Sequence, residues 1–244
     1  MAVMTTRVAS AEHVAGNVIQ LRLVKPEGFT WKTGEFARVG LKIGGDEVFR
    51  AYSIGSAPAS ETVDFYIANV TGGILSPKLN QIKTGDSVLI DTEVGGMLLA
   101  DRLAAGGKDL WMFASGTGVS PFLAILSDES ITSRFERLIL VHGVRTWNET
   151  GYVSRLVKRS PKLTVVACVT REKGAAVNER IPDALADGSL EKLAGITIEK
   201  EHSRVMLCGN PGMVKSVREA MKARGIVSPR GGKPGQLLAE NFWL

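Results

Sequence analysis

Cysteine is scarce in this 244-residue chain: only Cys168 and Cys208 occur, far apart in sequence. This excludes a cysteine-ligated iron–sulfur cluster or a four-cysteine zinc site within the chain, so any such cluster belongs to a partner. Histidine is equally sparse, and His13, His142 and His202 lack metal-ligand spacing, so no metal centre is expected. Aromatic residues make up 6% of the chain, and the basic residues are scattered through mixed-charge stretches. That combination argues against a nucleic-acid interface. Long apolar runs are missing too. The start, MAVMTTRVASAEH, has no signal-peptide core, and the longest uncharged stretch, Leu110 to Ser127, is interrupted by GTGVSP. No membrane span is expected, and the reading is a cytoplasmic protein. There is no internal repeat and no low-complexity tract.

What is present is an ordinary globular composition, 44% hydrophobic and 23% charged, in a length that suits two domains. Thirty basic against 25 acidic residues leave a net charge of +5, which favours an acidic protein or a phosphorylated ligand; a generally solvated basic surface is the alternative. Up to about Leu99 the chain reads as short alternating segments, VIQLRLV, FARVGLKI, EVFRAYSI, VDFYIANV and DSVLIDT, separated by glycine and proline turns. This predicts an antiparallel β-barrel. Within it, LSPKLNQI predicts a short helix with Ser76 as N-cap and Pro77 at the first helical position. From about Asp109 the apolar strands LWMFAS, RLILVHGV, LTVVACVT and RVMLCGN alternate with helix-period segments SPFLAILSD, TGYVSRLVKRS, NERIPDALAD and PGMVKSVREAMKAR. That rhythm predicts a Rossmann-like α/β domain with a parallel sheet. The domains are placed at residues 1–101 and 102–244, joined through Leu98 to Lys108.

Three motifs carry candidate chemistry. Gly116-Thr117-Gly118 lies between a buried strand and a helix capped by Ser120, an arrangement in which bare N–H groups and the helix dipole accept phosphate. A plain strand–helix turn remains open, because Pro121 stands where the dinucleotide fingerprint has its third glycine. At the next strand end, where an NAD site carries an acid, the chain has Arg145; Arg171 and Arg180 follow the next strand. Three guanidiniums at the ends of one sheet favour a 2′-phosphate, hence NADP, over three solvated surface charges. Arg50-Ala51-Tyr52-Ser53 combines a phosphate-binding cation, an aromatic plate and a hydroxyl, as a flavin requires; a half-buried strand with a core tyrosine is the alternative.

In order along the chain, RAYS, FYIANVTGGILSPKL, ASGTGVSP, VHGVR, VMLCGNPGMV and a short aromatic tail resemble the ferredoxin–NADP reductase family over nearly the whole length, in particular its short bacterial type that uses ferredoxin or flavodoxin. The resemblance implies an FAD-dependent enzyme, with hydride passing between nicotinamide C4 and flavin N5 and single electrons passing to a protein carrier. It implies an FAD site made by Arg50 at the pyrophosphate, Ala51, Tyr52 stacked on the flavin, Ser53 near N5, Tyr66, Ile67, Ala68 and Asn69 at the ring edge, and Ile74, Leu75 and Ser76 at the pyrophosphate. Thr117 would stand at the junction with the nicotinamide, and Phe36 is a candidate for adenine contact. Gly118, Arg145, Arg171, Arg180, Gly209, Asn210 and Met213 would hold NADP(H). Cys208 would lie beside the nicotinamide in a positioning role, since no lysine or histidine neighbours it in sequence, while Cys168 belongs to a strand core. Ser53 and Glu240 would supply hydrogen bonds or a proton route. The tail, Glu240-Asn241-Phe242-Trp243-Leu244, departs from the pattern by carrying Phe242 where many relatives have tyrosine, with an added Leu244. Phe242 and Trp243 are expected to cover the flavin and meet the adenine.

The implied protein is a monomer with an acidic carrier as partner. Rival readings are an NADPH-dependent flavin or oxygenase-component reductase on the same scaffold, a binding module without turnover, and a nucleic-acid-binding protein.

Overall fold

The computed structural model describes residues 3–151, 153 and 160–241, in two compact units: Met1–Gly96 with Ser120–Ser127, and Met97–Val119 with Asp128–Leu244. The first unit is a six-stranded antiparallel sheet of β1 (Val3–Ala15), β2 (Val18–Val24), β3 (Phe36–Ile43), β4 (Asp46–Ser53), β5 (Thr62–Ala68) and β6 (Ser87–Asp91), in the order β4-β3-β6-β1-β2-β5. The outermost strands meet through the pair Ile54–Phe65 and the bond from Gly55 N–H to Asp64 O (2.8 Å), which closes the sheet on itself. Strand β1 turns the corner. Its first half pairs with β6 and its second with β2, across an irregularity between Val8 and Ser10. The interior is filled by the inward-facing set of each strand, Leu21, Leu23, Val39, Phe65, Ile67 and Ile90 among them, with Phe29 and Trp31. Trp31 Nε1 donates to Ser56 O (3.1 Å), so the buried indole N–H is paired.

Strand β1 has no counterpart in the sequence reading. Only Thr6, Val8 and Ala15 of its thirteen residues are buried, so its pattern lacks an apolar alternation. The short helix forms as a single turn, α1 (Ser76–Leu79), but Ser76 is not its N-cap: that position is Leu75, without a side-chain cap bond. The Ser76 hydroxyl instead accepts Val70 N–H (3.1 Å) and closes the preceding turn.

The second unit is a five-stranded parallel sheet, β7 (Asp109–Ser115), β8 (Arg137–Val144), β9 (Leu163–Val169), β10 (Ser203–Gly209) and β11 (Leu237–Asn241), in the order β11-β10-β7-β8-β9. Strands covered on both faces read as continuous apolar runs, and β7 and β10 are buried along nearly their whole length. The last strand, β11, takes in Glu240 and Asn241 of the expected tail. The longest helix of the described residues, Pro211–Ala223, buries Met213, Val214, Val217 and Met221, the four residues its 3.6-residue periodicity predicts. The predicted helix TGYVSRLVKRS lies mostly outside the described residues. The linker from Leu98 to Lys108 is clamped by Arg204, 4% exposed, whose guanidinium donates to the carbonyls of Ala104 and Ala105.

Ser120 does not cap a helix either. A 3-10 turn, Gly116–Val119, runs directly into the helix Ser120–Ser127, so the helical run starts at the glycine-rich turn itself. The Ser120 hydroxyl donates to Ser53 O (2.9 Å). Among the described residues no helix is long and apolar enough to cross a membrane, and no cluster of three His, Cys, Asp or Glu could hold a metal ion.

Candidate functional site

In the antiparallel unit the candidate residues gather on the two outermost strands. Strand β4 is open on both faces: Arg50 and Ala51 are exposed, Tyr52 and Ser53 half-buried. Arg50 and Tyr52, two apart on a strand, share one face. Arg50 Nη1 donates to Phe49 O (2.7 Å). Tyr52 packs its inner side on the barrel core, and burial pushes its phenol up to about 12. Phe36 pairs with Ser53 in register and exchanges backbone bonds with Gly95 (2.6 and 3.1 Å). On β5, Ile67 is core, Tyr66 and Ala68 are half-buried, and Asn69, just past the strand, is exposed. Gly55 lets the Tyr66 ring lie close, because a Cβ there would stand 2.8 Å from it. In the turn leading to α1, Ile74 is 61% exposed, whereas Leu75 and Ser76 are buried. Phe242, Trp243 and Leu244 lie outside the described residues.

In the parallel unit the candidates converge at the C-terminal ends of the strands, and backbone packs there on backbone. A Cβ on Gly118 would stand 2.7 Å from the carbonyl carbon of Cys208 and 2.8 Å from Gly209 Cα. Gly209 itself has φ +137°, and its Cβ would meet Ser115 N at 2.9 Å. Only glycine permits this approach. Ser115 Oγ accepts Asn210 N–H (2.8 Å), and Asn210 Oδ1 caps the following helix by accepting from Gly212 N–H (2.9 Å) and Met213 N–H (3.3 Å). Met213 packs into the helix–sheet core. Thr117 is half-buried within the 3-10 turn.

Cys208 is fully buried and sits in register between Ala114 on β7 and Glu240 on β11. Burial pushes the Glu240 carboxyl up to about 7, against the opposing pull of Met97 N–H. The carboxyl therefore changes charge near neutral pH. Cys168 is also buried, and burial raises its thiol to about 12, so it stays protonated.

Sequence reasoning missed His142, which lies under the glycine-rich turn. It is 1% exposed, its Nε2 lies 2.9 Å from Gly116 O, and burial pushes it down to about 4 despite that bond. Near neutral pH the ring is uncharged, with Nε2 as the donor to the carbonyl.

Of the three arginines, Arg145 and Arg171 are joined through their backbones, Arg171 N–H donating to Arg145 O (2.9 Å). Arg171 and Arg180 are exposed. Both lie on the loop that Asn178 Nδ2 ties to Val169 O (3.2 Å) and Glu172 O (2.6 Å). The Arg145 guanidinium is held by Glu149, an acid that the sequence reading passed over although it stands four residues on. A second acid, Glu172, accepts Trp147 N–H through Oε2 (2.6 Å).

Known proteins match this arrangement along the chain. The family model of the oxidoreductase FAD-binding domain matches residues 5–97, and that of the oxidoreductase NAD-binding domain matches residues 112–219. The ferredoxin–NADP reductase of Pseudomonas aeruginosa is 32% identical, covering 98% of this chain and 97% of that protein. The flavodoxin/ferredoxin–NADP reductase of Escherichia coli K12 is 37% identical over 86% of this chain and 87% of that protein. A crystal structure of a ferredoxin–NADP reductase from Neisseria gonorrhoeae with bound FAD and NADP superposes with a TM-score of 0.92 at 31% identity, covering 98% of both chains. Together with the antiparallel FAD-type and parallel NAD-type domains in that order, these matches establish that the chain belongs to the ferredoxin–NADP reductase family.

Proposed function

We propose that this chain is an FAD-dependent reductase that exchanges electrons between NADPH and a ferredoxin or flavodoxin carrier. The observation that carries the reading is the floor built in the parallel unit. Gly118 and Gly209 bring bare backbone to the strand ends, with Cys208 and Glu240 side by side in register. The close packing fixes where these strand ends stand, and a carboxyl that titrates near neutrality there is suited to passing a proton. The flavin-reductase alternative is not favoured. The relatives of 31 to 37% identity bear ferredoxin–NADP or flavodoxin reductase names, whereas the reductase of a carbazole dioxygenase is 21% identical, a likeness of fold alone.

The residues present fit both groups. On the antiparallel unit an exposed guanidinium, a half-buried phenol ring and an exposed isoleucine match a ligand with a charged pyrophosphate and a flat apolar ring. When bound, FAD and NADP(H) supply the hydride chemistry between nicotinamide C4 and flavin N5. The chain supplies placement. Arg50 holds the pyrophosphate, Tyr52 stacks on the flavin, and Tyr66 to Asn69 with Ile74 to Ser76 border it. Thr117, Gly118 and Asn210 orient the nicotinamide end, while Arg145, Arg171 and Arg180 take the 2′-phosphate. Cys208 positions the ring, and Ser53 on the antiparallel unit and Glu240 on the parallel unit each offer a hydrogen bond or a proton. On this reading residues 1–101 are the FAD domain and 102–244 the NADP domain of a cytoplasmic monomer, in keeping with a chain that has only two cysteines, both buried.

The test is an absorbance spectrum of the purified protein. A flavin band bleached by NADPH much faster than by NADH is expected; a colourless protein that takes up no FAD, or one indifferent to the 2′-phosphate, would overturn the reading.

A further inference from the structure

Arg145 directly follows β8, and its half-exposed guanidinium is already paired. Four residues on, in the 3-10 turn Trp147–Thr150, Glu149 reaches back to it with both oxygens. Oε2 accepts Arg145 N–H (2.8 Å), and Oε1 accepts from Nε (2.9 Å) and Nη2 (2.6 Å). The two partners are unequally covered: the Glu149 side chain is 13% exposed and that of Arg145 51%. The carboxylate therefore lies beneath and the guanidinium above it. Burial alone would push the Glu149 carboxyl up, but the side-chain and backbone bonds from Arg145 outweigh it and hold the group below the usual carboxylate range.

An exposed i,i+4 ion pair contributes little to stability, and covering a carboxylate opposes it. The arrangement does, however, fix the guanidinium. Glu149 binds both the main chain and the side chain of Arg145, and Arg145 O in turn accepts Arg171 N–H (2.9 Å), so the fork is set relative to two adjacent strand ends. A long side chain bound only by its own stem would lose rotamer freedom on meeting a phosphate; one held by a covered carboxylate has lost it already.

We propose that Glu149 is a positioning residue for cofactor selection, holding the Arg145 guanidinium where the 2′-phosphate of NADP(H) binds. The preference for NADP over NAD then depends on a negative charge that, taken alone, repels the phosphate. The inference rests on the reading of Arg145 as a 2′-phosphate ligand. It also gives an opposite sign to the simplest electrostatic expectation. If Glu149 acts only as a charge near the phosphate, removing that charge tightens binding; if it positions the fork, removal weakens binding.

The experiment is calorimetric titration of the FAD-loaded protein with 2′,5′-ADP and with 5′-AMP, for wild type, Glu149→Gln, Glu149→Asp, Arg145→Ala and the Glu149→Gln/Arg145→Ala double variant. The ratio of the two affinities should fall about tenfold in Glu149→Gln, with the ratio of kcat/KM for NADPH over NADH falling in step. Glu149→Asp, which keeps the charge but shortens the reach, should fall too. The double variant should bind 2′,5′-ADP no more weakly than Arg145→Ala, because the carboxylate acts through the arginine. Unchanged or tighter 2′,5′-ADP binding in Glu149→Gln, or wild-type binding in Glu149→Asp, overturns the proposal if Arg145→Ala has lost the preference. An Arg145→Ala variant that keeps the preference removes the underlying site reading, and the proposal with it.

Discussion

The antiparallel and the parallel unit present their candidate groups by different physical means. On the antiparallel sheet the chemistry is in side chains standing off an outermost strand: Arg50 and Ala51 are exposed and could change without moving the barrel interior of Leu21, Phe65 and Ile90, against which only the inner side of Tyr52 packs. At the strand ends of the parallel sheet much of it is in the main chain, where Gly118, Cys208 and Gly209 touch through backbone atoms and His142 braces the Gly116 carbonyl from below. In the first unit binding and folding are separable; in the second they share the same atoms.

The largest effect that would break this contrast is expected at Gly209. Gly209→Ala adds a Cβ that meets Ser115 at a backbone φ of +137°, and should cost about 3 kcal/mol or more through overpacking and backbone strain. Denaturant unfolding measures it, and a loss below about 1 kcal/mol would show that the strand ends are more yielding than their packing implies. Next comes the pH dependence set by His142. The folded chain keeps this ring neutral down to about 4, whereas the unfolded chain takes up its proton near 6.5. Its contribution is therefore complete above pH 6.5 and is lost as pH falls through 4, up to about 3 kcal/mol. Unfolding measured at pH 7 and pH 5 should show a smaller difference for His142→Gln than for wild type; equal differences would mean that the buried ring titrates normally.

On the antiparallel side Arg50→Ala should weaken FAD retention roughly a hundredfold, the loss of a charge-assisted pyrophosphate contact, while apoprotein thermal stability moves by less than about 2 °C. An apoprotein as damaged as Gly209→Ala would erase the distinction between the units. The smallest effect is at Glu240, whose carboxyl sits near 7 because it is buried. NADPH oxidation should inflect near that pH in wild type, and the inflection should vanish in Glu240→Gln; its persistence would assign the titration to another group.

The same contrast explains what the sequence disclosed. The barrel type, the parallel sheet, the Pro211–Ala223 helix and the ordered motifs were legible because apolar periodicity and side-chain chemistry are written residue by residue. Strand β1 was not, since its pairing is made by backbone and only three of its side chains are buried. Strand β11 was hidden for a related reason: Leu237 to Asn241 is a short segment whose strand character depends on the neighbouring β10. Both misplaced caps, Ser76 and Ser120, are serines whose hydroxyls found partners outside their own helices, Val70 N–H and Ser53 O. Local sequence reports the capacity to bond, and tertiary structure chooses the partner. Glu149 is a further case: an acid four residues from Arg145 reads as surface charge until its two oxygens are seen on that arginine.

The most direct test of the central claim is the fate of electrons after NADPH has reduced the protein anaerobically. Reoxidation by ferredoxin or flavodoxin, followed through the carrier's own absorbance, should be at least tenfold faster than by free flavin at equal concentration and should slow as salt is raised, as expected for a basic protein meeting an acidic carrier. Reoxidation by free flavin as fast as by either carrier, with no salt dependence, would contradict the account.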